Sequence, residues 1–190
     1  MNRKYLVLPA VLLAAAAVVT AIQLWPSPLK DLRARNLCLG MLTEKTAGLL
    51  SDGMGGRVTV DEHKTGKSGA DPVFSTTCFF IRVPEKATEG PLQYTLAVRP
   101  ANTLNNPAKG ATGLPDGRSG WVGPRQSEVQ VPAGCPKRMK AGTEYVTVSL
   151  EVAPGVVVAE NWDDAALVAA SRTVVLEAVD HLAKQYDCEA

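Results

Sequence analysis

The side chains able to do chemistry are few, and they are scattered along the chain. Of 190 residues only two are histidine, His63 and His181. His63 closes the triplet Asp61-Glu62-His63, whose three groups are metal-ligand types, but a polar loop tip accounts for them without a metal. His181 follows Glu177 by four residues, the spacing of a surface pair on one helix. A Ser-His-Asp or Cys-His centre would have to use one of these two, and the chain contains no G-x-S-x-G turn to present a nucleophile. Thr65-Gly66-Lys67-Ser68 has the ending of a phosphate loop. The first glycine of that motif is replaced by Asp61, and Gly69 and Pro72 stand where a helix must begin. Asp163-Asp164 suits the first turn of a helix, where the dipole favours negative charge. No catalytic residue, metal ligand or cofactor is therefore assigned.

Two features remain as a candidate binding surface. Lys137, Arg138 and Lys140 form a basic cluster beside Cys135 that would face an anionic surface. Trp121 follows a long Gly- and Pro-rich stretch over residues 100–120, and a Trp beside such a loop can supply binding area. Loops of that length in a compact domain are either mobile or functional.

The cysteines carry the strongest signal. Cys38, Cys78, Cys135 and Cys188 are even in number and all follow an apolar run. Their spacing contains no C-x-x-C, so zinc is not indicated. In an exported domain they read as two disulfides, for which three pairings exist. Cys38 with Cys78 and Cys135 with Cys188 is favoured, because each bridge then ties a terminal helix to the sheet.

These groups must be positioned by two unlike pieces of chain. Residues 6–25 carry no charge and are interrupted only by Pro9, Thr20 and Gln23. At about 1.5 Å per residue such a run spans roughly 30 Å as a helix, the thickness of a bilayer core. Arg3 and Lys4 precede it, Trp25 sits at its end, and Pro26 and Pro28 stop it. Residues 1–25 are thus expected to be a signal-anchor, a transmembrane helix making residues 5–25 the membrane contact. The alternative is a secreted protein, with a signal peptide cleaved after Val19-Thr20-Ala21. Residues 26–36 read as a linker, and residues 37–190 as one extracytoplasmic domain. Without Arg3 and Lys4 the remainder holds 18 basic against 19 acidic residues, a net of −1. That near-neutral balance excludes the electrostatic footprint of a nucleic-acid binder.

Within the domain, residues 37–50 have helical spacing, with a break near Gly40. Alternation marks strands near residues 57–61, 73–83, 92–99, 121–122, 128–131 and 144–152. In the last of these Val146, Val148, Leu150 and Val152 face a core, and Thr147, Ser149 and Glu151 face the other way. Residues 62–71 read as loop. Residues 162–186 read as a helix capped by Asn161, with Leu167, Ser171, Val174, Ala178 and Leu182 on one face. The expected class is α+β: an antiparallel sheet of five or six strands with helices on one face, preceded by the transmembrane helix.

Cys38 with Leu42-Thr43, Cys78 opening a strand, Gly120-Trp121-Val122 before Val129-Gln130-Val131-Pro132, then Cys135 and a final helix ending in Cys188 make up a frame. It resembles a group of exported, membrane-anchored actinobacterial proteins to which no activity attaches. The first half is similar to small actinobacterial lipoproteins, although this chain lacks their lipid-bearing cysteine. The resemblance covers most of residues 37–188 and implies location and fold. The expected function is a membrane-anchored, extracytoplasmic binding or interaction module without catalysis, its partner a protein or an envelope polymer. The alternative is an exported hydrolase or wall-modifying enzyme working around His63 or the long loop.

Overall fold

The computed structural model describes residue 20 and residues 27–64, 76–115, 117–156 and 163–188. Seven strands form one sheet: β1 Arg57–Lys64, β2 Thr76–Val83, β3 Leu92–Ala101, β4 Thr112–Gly113, β5 Gly120–Val122, β6 Gln126–Gln130 and β7 Tyr145–Val152. Their spatial order is β1-β2-β3-β7-β6-β5-β4, and every neighbouring pair is antiparallel. Two meanders are thus joined where the last strand, β7, pairs with β3. Besides the segment Leu37–Gly40, which contains a left-handed turn, the described residues include four right-handed helices: α1 Pro28–Arg35, α2 Glu44–Ala47, α3 Cys135–Arg138 and α4 Asp164–Gln185.

The sheet has seven strands, not five or six. The additional strand, β4, is two residues long and lies inside the stretch that reads as loop; two residues are too few to show a period. Among the described residues no helix is long and apolar enough to cross a membrane. The expected transmembrane helix has no counterpart there, since residues 6–25, Thr20 apart, lie outside the described residues.

Alternation sorts the strands into two faces. Phe80, Tyr94, Leu96, Val98, Val129, Val146, Val148 and Leu150 turn inward and join Leu167, Val174, Val175, Ala178 and Leu182 of α4 in a single core. Phe80 and Tyr94 stack with ring centroids 4.2 Å apart, and the Tyr94 hydroxyl donates to Ala47 O at 3.0 Å. Burial pushes that phenol well above its usual pKa, and the nearby Glu177 charge acts in the same direction. Ser171, in the middle of the α4 face, is fully buried with the core.

Residues 37–50 are not one helix. Cys38, Leu39 and Gly40 all have positive φ (54°, 52° and 89°) and form a left-handed turn, closed by paired backbone bonds between Leu37 and Leu42. Three successive left-handed residues, two of them with a Cβ, cost free energy that neighbours must offset. Here Glu62 Oε1 accepts from Leu39 N at 2.9 Å, Asn36 Nδ2 donates to Gly40 O, and Gln185 Nε2 donates to Leu39 O. A Cβ on Gly40 would lie 2.8 Å from Arg33 N. Residues 62–64, read as loop, extend β1 instead. The cap of α4 is Asp163, whose carboxylate accepts from Ala165 N at 2.9 Å; Asn161 lies outside the described residues. Residues 65–75, including the phosphate-loop resemblance, also lie outside them.

Two disulfides are formed, Cys38–Cys78 and Cys135–Cys188, closing loops of 40 and 53 residues. In the chain-entropy picture each adds about 4 kcal/mol. The first pins the left-handed turn to β2, and the second pins the end of α4 to α3.

Candidate functional site

Among the described residues the long helix α4 packs on one face of the sheet, and no helix covers the other. On that open face, β3 presents Thr95, Ala97 and Arg99, and β7 presents Glu151, Ser149 and Thr147 directly opposite them. β6 adds Gln126, Glu128 and Gln130, and β5 adds Trp121, opposite Glu128. Gly120 allows β5 and β6 to meet so closely: its φ is 133°, and a Cβ there would strike Glu128 O.

Residues of the long loop rise beside these strands and turn a flat face into a basin of 320 Å³. Trp121 fixes that wall. Its indole Nε1 donates to Asn105 O at 3.1 Å, and Asn105 in turn donates from both its side-chain amide and its backbone N–H to Glu128 Oε2. Glu128 is only 4% exposed, yet it lines the basin. Its other oxygen, Oε1, takes no hydrogen bond among the described residues. Thr147, also 4% exposed, lines the same basin with a hydroxyl that makes no hydrogen bond there. A carboxylate and a hydroxyl on largely buried residues, each with an unpaired oxygen that still reaches the basin, are the groups expected to meet a ligand.

The four candidate surface residues separate. Trp121 is in the basin but is 7% exposed, so it supports the wall more than it offers a surface. Lys137 and Arg138 lie on α3 and Lys140 just after it, all three exposed, and none lines the basin. Arg138 pairs with Asp187 at 2.9 Å. The basin residues Glu128, Asn105 and Thr147 carry no motif. The one available signal is the polar side of each alternating strand, already visible in Thr147, Ser149 and Glu151.

Neither histidine builds a catalytic centre. His63 pairs with Asp61 two positions earlier on β1 at 3.0 Å, and its ring makes a T-shaped contact with Phe79, centroids 5.1 Å apart. Both members of that pair are 61% exposed at the side chain, and the basin lining does not include His63. His181 Nδ1 lies 2.9 Å from Met41 O and 3.2 Å from Asn36 Nδ2. Glu177 is taken up by the first segment: Thr43 N and the Thr46 hydroxyl donate to its two oxygens. Burial alone would raise its pKa, but those donors and the His181 charge outweigh burial and hold the carboxyl below its usual value. Among the described residues no group of three or more His, Cys, Asp or Glu side chains could hold a metal.

A second, larger cavity of 770 Å³ lies between α4 and residues 117–119 and 130–133. Its charged lining groups, Arg118 and Asp180, neutralise each other at 2.7 Å, and Val131, Pro132, Val179 and Ala183 supply much of the remainder. Asp52 and Arg82 form a further ion pair at the end of β2, with Arg82 Nη1 donating to Gly55 O. The Arg82 Nε proton is not aligned with Asp52 Oδ1, so the contact is one of charge proximity. Burial raises the Asp52 pKa, but Arg82 and the Met54 and Gln93 contacts bring it below its usual value. That pair locks residues 51–56 onto the sheet and serves structure.

The chain matches no protein-family model, no curated protein and no solved structure.

Proposed function

We propose that the protein is an extracytoplasmic binding module without catalysis of its own, which takes its ligand on the open polar face of the sheet. The observation that carries this reading is the basin itself, where Glu128 and Thr147, each only 4% exposed, turn an unpaired oxygen to the solvent of the basin. Export is supported by the two disulfides, which persist in oxidising compartments, and by the apolar run over residues 6–25 behind Arg3 and Lys4. The resemblance of the cysteine frame to exported actinobacterial proteins points to the same location. The basic cluster on α3 stands apart from the basin and is assigned no part in binding.

Chemical crosslinking in intact cells tests the reading. The full chain is compared with a variant in which residues 102–110 are replaced by a short Gly-Ser linker, which removes the wall of the basin. The crosslinked species of the intact protein should be lost or strongly reduced in the variant, while non-reducing mass spectrometry still finds both disulfides. Identical crosslinked species in the two proteins would remove this face from consideration.

A further inference from the structure

The chemistry of the basin limits what can occupy it. Its lining is dominated by groups that both donate and accept: the hydroxyls of Thr95, Thr147 and Ser149, and the amides of Asn105, Asn106 and Gln126. Two carboxylates, Glu128 and Glu151, only accept, and Arg99 only donates. Polar area exceeds apolar area in that lining: Trp121 is almost wholly covered, and Ala97 and Ala108 are small, while Leu150 turns its side chain to the core on the opposite face. A lipid or an apolar peptide would leave the hydroxyls, amides and carboxylates of that lining unpaired, which weakens binding. A polycation would meet Arg99 inside the same basin and would find Glu128 already half occupied by Asn105. A ligand carrying several neutral hydroxyls satisfies all of these groups together.

Size and placement agree. At 320 Å³ the basin sits at the lower end of ordinary small-ligand sites, and it lies on a sheet face rather than in a closed cavity. A short stretch of a longer chain can lie across it. The aromatic edge beside it fits as well: Phe79 is the cross-strand neighbour of Thr95 on the same open face, and His63 packs against it. An aromatic flank beside hydroxyl-reading side chains gives a sugar ring an apolar face to rest on.

We infer that the open-face basin binds a neutral saccharide segment, with Glu128 Oε1 and the Thr147 hydroxyl as the two unpaired groups that read its hydroxyls. The inference rests on the open face being the binding surface. Glu128 and Thr147 are binding residues; Trp121 and Asn105 are positioning residues that hold the wall and the carboxylate.

The full chain, purified in detergent, is titrated with trisaccharides of glucose, mannose, galactose and arabinose and, in parallel, with tetralysine. The indole N–H signal of Trp121 is the reporter, because it donates into the basin wall. At least one trisaccharide should shift that signal. Glu128→Gln should weaken its binding about tenfold, the loss expected when a hydrogen bond to a charged group goes. Thr147→Val, which keeps the side-chain shape and hence the fold, should weaken it severalfold. Unchanged trisaccharide affinity in Thr147→Val would overturn the inference even if Glu128→Gln failed to fold. Binding of tetralysine in place of the sugars would replace the saccharide with a cationic peptide and leave the open-face reading intact. Silence with both probes overturns the saccharide assignment, and the open-face reading then stands or falls separately on the crosslinking comparison.

Discussion

Glu177 and Glu128 show how two carboxylates of one domain come to serve different ends. Glu177 accepts from Thr43 N at 2.7 Å and from the Thr46 hydroxyl, so both of its oxygens are engaged inside the fold. Glu128 takes its donors on one oxygen only and keeps the other toward the basin. The difference gives a prediction in pH. The folded pKa of Glu177 lies below its ordinary value of 4.5. Its charge therefore stabilises the fold at all pH values above about 4.5, and that contribution is lost as pH falls through the lower folded value. Glu177→Gln should cost roughly 1–2 kcal/mol at pH 7. The gap to the native protein should close toward pH 3, measured by urea unfolding at both values. An equal deficit at pH 7 and pH 3 would show that the charge of Glu177 contributes nothing.

None of this was readable at the residue scale from sequence. Glu177 and His181 have the spacing of a surface pair, yet each is engaged by residues more than 130 positions away. Long-range partners leave no local pattern. The polar alternation of β7 was legible, because a period of two sorts Val146, Val148, Leu150 and Val152 from Thr147, Ser149 and Glu151 without any knowledge of neighbours. What could not be read was which strands would stand beside it, and hence that Glu128 would share its face.

At the scale of elements, α4 holds more than the core. Its flank presents Glu177, His181 and Gln185 at successive four-residue steps, and these grip Thr43 and Thr46, Met41, and Leu39 in turn. A stripe of polar side chains on a core helix thus fixes a segment that has little regular structure of its own. The left-handed turn at Cys38 to Gly40 is where that segment is most strained. Gly40→Ala puts a Cβ at 2.8 Å from Arg33 N and Leu32 C, at a φ of 89° that an L residue rarely adopts. It should destabilise the fold by several kcal/mol, given about 1–2 kcal/mol for the left-handed conformation plus the steric clash. Thermal unfolding checks this; a midpoint equal to that of the native protein would mean that the turn relaxes without cost. Sequence spacing placed a break near Gly40. The turn itself was illegible, because Cys38 and Leu39 are not residues that signal positive φ. The short strand β4 was equally hidden, since Thr112–Gly113 becomes a strand only through pairing with β5.

At the scale of the molecule, the two faces of one sheet divide the work. One face is closed by α4 and carries the stability of the domain, reinforced by two disulfides at its margins. The other keeps a polar floor and a wall built by the loop that Trp121 anchors. The central claim is that this second face meets the ligand. Photocrosslinking tests it most directly. A photoreactive residue replaces Gln126, exposed at the basin, or Thr173, exposed on α4, in the full chain within cells. The account predicts adducts from position 126 that diminish when Glu128→Gln is added, and none of the same mass from position 173. Adducts from position 173 alone, or the same adducts from both positions, would contradict it.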